Sequence, residues 1–113
     1  MNSQEFAEKI CEILNAHKGE DVVSLDVRGK SSVADFFVVA SGRSSTHTRS
    51  LIENVEEETE KLGVAPIRTE GVREGRWAVL DYGDVIVHVF NDETRLFYHL
   101  EKLWGDDKNV TKL

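Results

Sequence analysis

The stretch Trp77-Ala78-Val79-Leu80-Asp81-Tyr82-Gly83-Asp84-Val85-Ile86-Val87-His88-Val89-Phe90 reads as two strands joined by a tight turn. Asp81 and Asp84 bracket Tyr82-Gly83, where Asp and Gly belong for conformational reasons. A two-residue turn at either Tyr82-Gly83 or Gly83-Asp84 gives one parity. It puts Ala78, Leu80, Tyr82, Val85, Val87 and Val89 on one face of the sheet, a good core set. The opposite face receives Trp77, Val79, Asp81, Ile86, His88 and Phe90, which mixes large apolar side chains with polar ones. If helices cover only the first face, the second is an exposed aromatic surface of the kind that marks protein interfaces.

Outward from this hairpin, Phe36-Phe37-Val38-Val39-Ala40 is a continuous apolar run closed by Ser41-Gly42, the pattern of a central strand covered on both faces. Ser44 and Ser45 can cap a helix reaching Leu62, with Leu51, Ile52, Val55 and Leu62 inward and Gly63 as its stop. Glu53, Glu56, Glu57, Glu58 and Glu60 give that helix a solvated outer face. A strand over 65–70 follows, with Pro66 disfavouring a central position for its start. Nearer the N-terminus, Phe6, Ile10, Ile13 and Leu14 recur at helical spacing over 3–17 behind Asn2 and Ser3, either of which can cap, and Glu5 is placed for a capping box on Asn2. Gly19 ends this helix. Val23, Leu25 and Val27 then alternate in strand fashion before a turn at Arg28-Gly29-Lys30. After Phe90, Asn91 or Asp92 caps a last helix through Leu96, Leu100, Leu103 and Trp104. The order α-β-β-α-β-β-β-α predicts an α+β fold: a mixed five-stranded sheet with three helices, in one domain over 1–107, and a polar tail over 108–113.

The 113 residues fit one ordinary domain, and 40% hydrophobic with 31% charged side chains is too apolar for disorder. A net charge of −7 would repel a phosphate backbone unless the basic residues cluster, so little direct nucleic-acid contact is expected. Cys11 is the single cysteine, which excludes an internal disulfide and a thiolate-pair zinc site. The start Met1-Asn2-Ser3-Gln4-Glu5 lacks a basic, apolar secretory pattern, and no segment has the length of a membrane span. The expected location is cytoplasmic.

Catalytic signals are sparse. His17, His47, His88 and His99 have no spacing that pairs two on one helix face as metal ligands. Ser41-Gly42-Arg43-Ser44-Ser45 joins a strand to a helix, but it lacks the lysine and the glycine spacing of a P-loop. A nucleotidyltransferase needs two acids on a strand after the Gly-Ser turn to hold Mg²⁺. Here the acids after Gly42 fall on a helix. No nucleophile-elbow sequence is present. The residues predict no catalysis, no metal and no cofactor, with a nucleotide-binding or nucleotidyltransferase enzyme as the alternative.

The hairpin, followed by Arg95, Tyr98, Leu100, Glu101, Leu103 and Trp104, and preceded by Leu25-Asp26-Val27-Arg28, Asp35 to Gly42 and Glu70-Gly71, closely resembles the ribosomal silencing factors, also called the Iojap family. The resemblance covers roughly 5–107. It implies a homodimeric, non-enzymatic domain of nucleotidyltransferase-like fold that binds the large ribosomal subunit through its ribosomal protein fourteen. On that surface the factor blocks joining of the small subunit and represses translation under nutrient limitation. The family pattern usually has Gln and Val where this chain has His47 and Thr48. An acidic protein suits a basic ribosomal protein better than RNA. For the partner contact the expected anchor is Trp77, with Val79 and Ile86 as apolar neighbours and Asp81 and Asp84 as acceptors for basic side chains. Tyr82, Glu70 and His88 rank second. Arg95, Tyr98, Glu101 and Trp104 are expected to fix the last helix to the sheet.

Overall fold

The computed structural model of the chain describes residues 1–91 and 110–112. Helix α1 spans Ser3–Ala16 and opens on the expected capping box: the Asn2 side chain accepts from the Glu5 N–H, and the Glu5 carboxylate accepts from the Asn2 N–H. The two bonds satisfy donors that the first helical turn leaves without partners. Strand β1, Glu20–Asp26, runs antiparallel to β2, Phe36–Ser41. Helix α2, Ser45–Lys61, has Ser44 as its N-cap and ends at Gly63, whose φ of +84° suits a residue without a Cβ.

Strands β3 (Arg68–Glu70), β4 (Trp77–Asp81) and β5 (Val85–Phe90) form an antiparallel meander. α2 carries the chain across the sheet, so β5 returns parallel to β2 and the order is β3-β4-β5-β2-β1. The five expected strands therefore form a mixed sheet with β2 inside it. A sixth strand, β6 (Val110–Lys112), adds antiparallel to β1, in the segment the sequence reading left as a polar tail. That reading is corrected: three residues at a sheet edge pair through backbone groups, which side-chain polarity does not report. β3 is shorter than expected, starting beyond Pro66 at Arg68. The third expected helix, with Arg95, Tyr98, Glu101 and Trp104, lies outside the described residues.

Both described helices pack on one face of the sheet. Phe6, Ile10 and Leu14 from α1 and Leu51, Ile52 and Val55 from α2 meet Val38, Leu80 and Val87 there. Ala78, Val85 and Val89 join them, as the hairpin parity requires. A second buried cluster lies on the opposite face: Val23, Leu25, Val27, Ala34, Phe37, Val39, Ile86 and Phe90. It contains no residue of α1 or α2.

His47 and Thr48 sit in the first turns of α2. The His47 ring accepts from the Arg43 N–H at 2.9 Å, and its other nitrogen lies 3.1 Å from the His17 carbonyl oxygen, so the ring ties α1 to the turn after β2. Thr48 is fully buried against Gly42, and its hydroxyl makes no hydrogen bond. A valine of the same shape carries no polar atom to leave unsatisfied. Thr48→Val should stabilise the fold by about 1 kcal/mol, read as a higher urea midpoint at unchanged slope.

Candidate functional site

The hairpin turns at Gly83-Asp84: Tyr82 N–H donates to the Val85 carbonyl, and Gly83 takes a φ of +91°. The register pairs Trp77 with Phe90, Val79 with His88 and Asp81 with Ile86. All six side chains lie on the face that α1 and α2 leave uncovered, as parity predicts. Above them opens a groove of about 610 Å³, lined by Trp77, Val79, Asp81, Ile86, His88, Glu70 and Arg68, by Phe37 of β2, and by Lys30, Ser31, Ser32 and Val33.

The aromatic surface is narrower than the sequence implies. Trp77 is 44% exposed, whereas Phe90 is fully buried and Ile86 and His88 nearly so. The indole stacks on Phe90 at 5.6 Å and on His88 at 6.0 Å. Its Nε1–H donates to Nδ1 of His88 at 3.1 Å. Nδ1 is thus an acceptor, which places the proton of the neutral ring on Nε2. Burial pushes the His88 pKa down from the usual 6.5 to about 4. His88 is therefore a neutral brace that fixes the indole.

This has a stability consequence of defined sign. The folded protein resists protonating His88, while the unfolded chain takes up that proton near pH 6.5. The contribution is complete above pH 6.5 and is lost as pH falls towards about 4. We expect the unfolding free energy of the parent chain to fall more steeply across this window than that of His88→Asn, by up to about tenfold in the folding equilibrium per pH unit. Urea titrations of both proteins at several pH values measure the difference.

Asp81 is already engaged. Its Oδ2 accepts from Arg68 Nη2 at 3.2 Å, and its Oδ1 from the Gly83 N–H at 2.8 Å. Glu70 is exposed on β3 at the groove's edge. Two of the expected contact residues are not brought to this groove. Tyr82 points to the helix-covered face, where its hydroxyl lies 2.8 Å from Thr59 Oγ1 and its ring meets Phe6 edge-on at 5.0 Å. Asp84 lines a separate hollow with Tyr82 and Phe6, and its carbonyl accepts from the N–H groups of Asp35 and Phe36. Tyr82 shares the parity of Leu80, as the hairpin reading has it, and Asp84 is a turn residue.

The groove's other wall, Lys30 to Val33 with Phe37, went unassigned. Phe37 pairs with Ile86 across the parallel β2–β5 contact, a register no local pattern carries. Arg68 lies opposite Asp81 in the β3–β4 register. Among the described residues no three of His, Cys, Asp and Glu converge as metal ligands. Cys11 is buried in the helix-side core, and burial pushes its thiol up to about 12, which makes it a poor nucleophile. No described helix is long and apolar enough to cross a membrane.

The same architecture occurs in known proteins. The model of the family described as "Ribosomal silencing factor during starvation" matches residues 1–113. The chain belongs to the ribosomal silencing factor family. The Halalkalibacterium halodurans ribosomal silencing factor is 36% identical over 110 residues, covering 97% of this chain and 94% of its own. A crystal structure of a Chromobacterium violaceum protein, 33% identical, superposes with a TM-score of 0.87 over 95% of this chain and 90% of that one. A mouse protein named "Mitochondrial assembly of ribosomal large subunit protein 1" is 27% identical over 95 residues, and the chain spans 42% of its length. The name of the ribosomal silencing factors denotes a regulatory role at the ribosome rather than a reaction.

Proposed function

We propose that this chain binds the large ribosomal subunit through its ribosomal protein fourteen, blocks joining of the small subunit, and so represses translation under nutrient limitation. The observation that carries this reading is the groove beside Trp77. It is an amphipathic concavity on the side of the sheet that α1 and α2 leave uncovered, with an exposed aromatic at its rim, exposed Glu70 at its edge and Asp81 paired with Arg68 along its lining. An overall charge of −7 favours encounter with a basic ribosomal protein. Membership of the family supports a role at the ribosome, and the name of the mouse relative supports the large subunit as the particle concerned. In this reading the protein is cytoplasmic and the nucleotidyltransferase-like scaffold has no catalytic role. Cosedimentation with purified large subunits, followed by addition of small subunits, tests it. The expected result is a stoichiometric complex that excludes the small subunit, and free joining in its presence would overturn the proposal.

The functional unit is a homodimer, because a short chain with an apolar sheet face otherwise leaves part of that face in water. Sedimentation at micromolar concentration should give twice the 12.8 kDa chain mass. A 12.8 kDa species alone would count against the dimer.

A further inference from the structure

Although the chain is acidic overall, four of its seven arginines, Arg43, Arg49, Arg73 and Arg76, gather at one end of the sheet. Backbone contacts bring them together. Gly42 N–H donates to the Phe90 carbonyl at 2.7 Å, and Asn91 N–H to the Arg76 carbonyl at 2.9 Å, which sets Arg43 and Arg76 beside the same end of β5. Gly75, at φ +67°, lies so close to the first turn of α2 that a Cβ there would meet the Ser45 carbonyl oxygen at 2.5 Å. Arg49 Nη1 donates to the Arg73 carbonyl at 3.2 Å and Nη2 to Thr46 Oγ1 at 3.3 Å, closing the β3–β4 loop onto α2. Arg43, Arg73 and Arg76 are exposed.

Three features favour an anion here. The first turn of α2 carries no acidic residue, so its partial positive charge is not offset by its own side chains. The acids in these same segments are few: Glu74, and Glu20, whose carboxylate is 3.6 Å from Arg43. Guanidinium groups match phosphate oxygens bidentately. None of the four arginines lines the groove beside Trp77 or the hollow at Tyr82. Arg43, Arg73 and Arg76 stand on an exposed edge braced by the half-buried Arg49, a shape suited to a polyanion strand rather than to an enclosed small molecule.

We propose that this arginine edge binds the phosphate backbone of RNA. Arg76 directly precedes Trp77, so the edge adjoins the groove. The inference rests on the ribosome reading above, and it adds an RNA contact to a chain whose total charge disfavours one. The local cluster supplies what the net charge withholds, and the contact would fix orientation rather than read sequence.

The test compares the full chain with Arg43→Gln/Arg73→Gln/Arg76→Gln in cosedimentation with large subunits over a potassium chloride series. Hydroxyl-radical footprinting of the particle's RNA accompanies it. Each lost phosphate contact removes roughly 0.7 to 0.9 from the slope of log affinity against log salt, so the triple variant should lose about 2 to 3. A backbone footprint left by the parent should vanish with the variant and persist with the corresponding triple lysine variant. Circular dichroism checks that the variants are folded. An unchanged slope, or a footprint identical in parent and variant or absent from both, overturns this inference alone. Inorganic pyrophosphate displacing the footprint at micromolar concentration would show a small-anion site and overturn the RNA assignment. Absence of cosedimentation at every salt concentration sinks the proposed function together with this inference.

Discussion

Trp77→Ala should leave a folded protein that binds the large ribosomal subunit about thirty-fold more weakly or worse, a loss of roughly 2 kcal/mol or more. The indole is 44% exposed at the groove's rim, so its removal opens no enclosed cavity. What the fold loses is stacking on Phe90 and His88 and one hydrogen bond to His88 Nδ1. Such contacts contribute about 1 to 2 kcal/mol to stability, against the 3 to 5 of a buried aromatic. The partner contact loses more, because a large rigid ring held in place by a neutral histidine binds with little entropy left to surrender. Melting followed by circular dichroism, then cosedimentation and subunit joining, separates the two effects. A variant that melts far below the parent would move Trp77 into the core. One that still blocks joining at parental concentrations would place the contact elsewhere. Asp81→Lys is a less clean probe, since the Asp81 carboxylate also holds Arg68 and the turn at Gly83.

What the sequence discloses here follows from how local each constraint is. The hairpin faces were legible because a two-residue turn fixes strand parity, and parity alone sorts Leu80 from Val79. The caps were legible to within one residue, Asn2 or Ser3 and Ser44 or Ser45, because a polar side chain before a periodic apolar run has one common use, and the structure uses Asn2 and Ser44. Contacts between segments distant in sequence were not. β2 lies against β5 in parallel, across more than forty intervening residues, and that register sets Phe37 beside Ile86 to build the groove's floor. Continuous burial of Phe36 to Ser41 hides which of their side chains face the groove. The turn at Arg28-Gly29-Lys30 was legible, but nothing local marks Ser31 to Val33 after it, and only the assembled sheet makes Lys30 to Val33 a wall. The arginine edge was hidden in the same way. Arg43 and Arg76 are neighbours only because the C-terminal end of β5 bonds to the segments that flank both, while net charge averages them against acids elsewhere.

Phe90→Ala should destabilise the protein by about 3 to 5 kcal/mol, although Phe90 sits directly opposite Trp77 on the same face. The reason is position within the stack. Phe90 is fully buried, with the indole 5.6 Å above it and Ser41 beside it in the parallel register. Deleting its ring leaves a hole flanked by paired backbone, which cannot collapse to fill it. A domain of this size has roughly 5 to 15 kcal/mol in all, so the loss is a third or more of the total. Urea unfolding monitored by circular dichroism reads it directly, and Phe90→Leu, which keeps most of the volume, should recover more than half of the lost stability. The same variant tests the link from core to site. Without Phe90 the indole retains only His88 beneath it, so Trp77 fluorescence should shift towards that of a solvated indole even under conditions where the protein remains folded. An unchanged urea midpoint would show that the stack is not the support of the groove. A large loss of stability with Trp77 fluorescence unmoved would show that His88 alone fixes the indole.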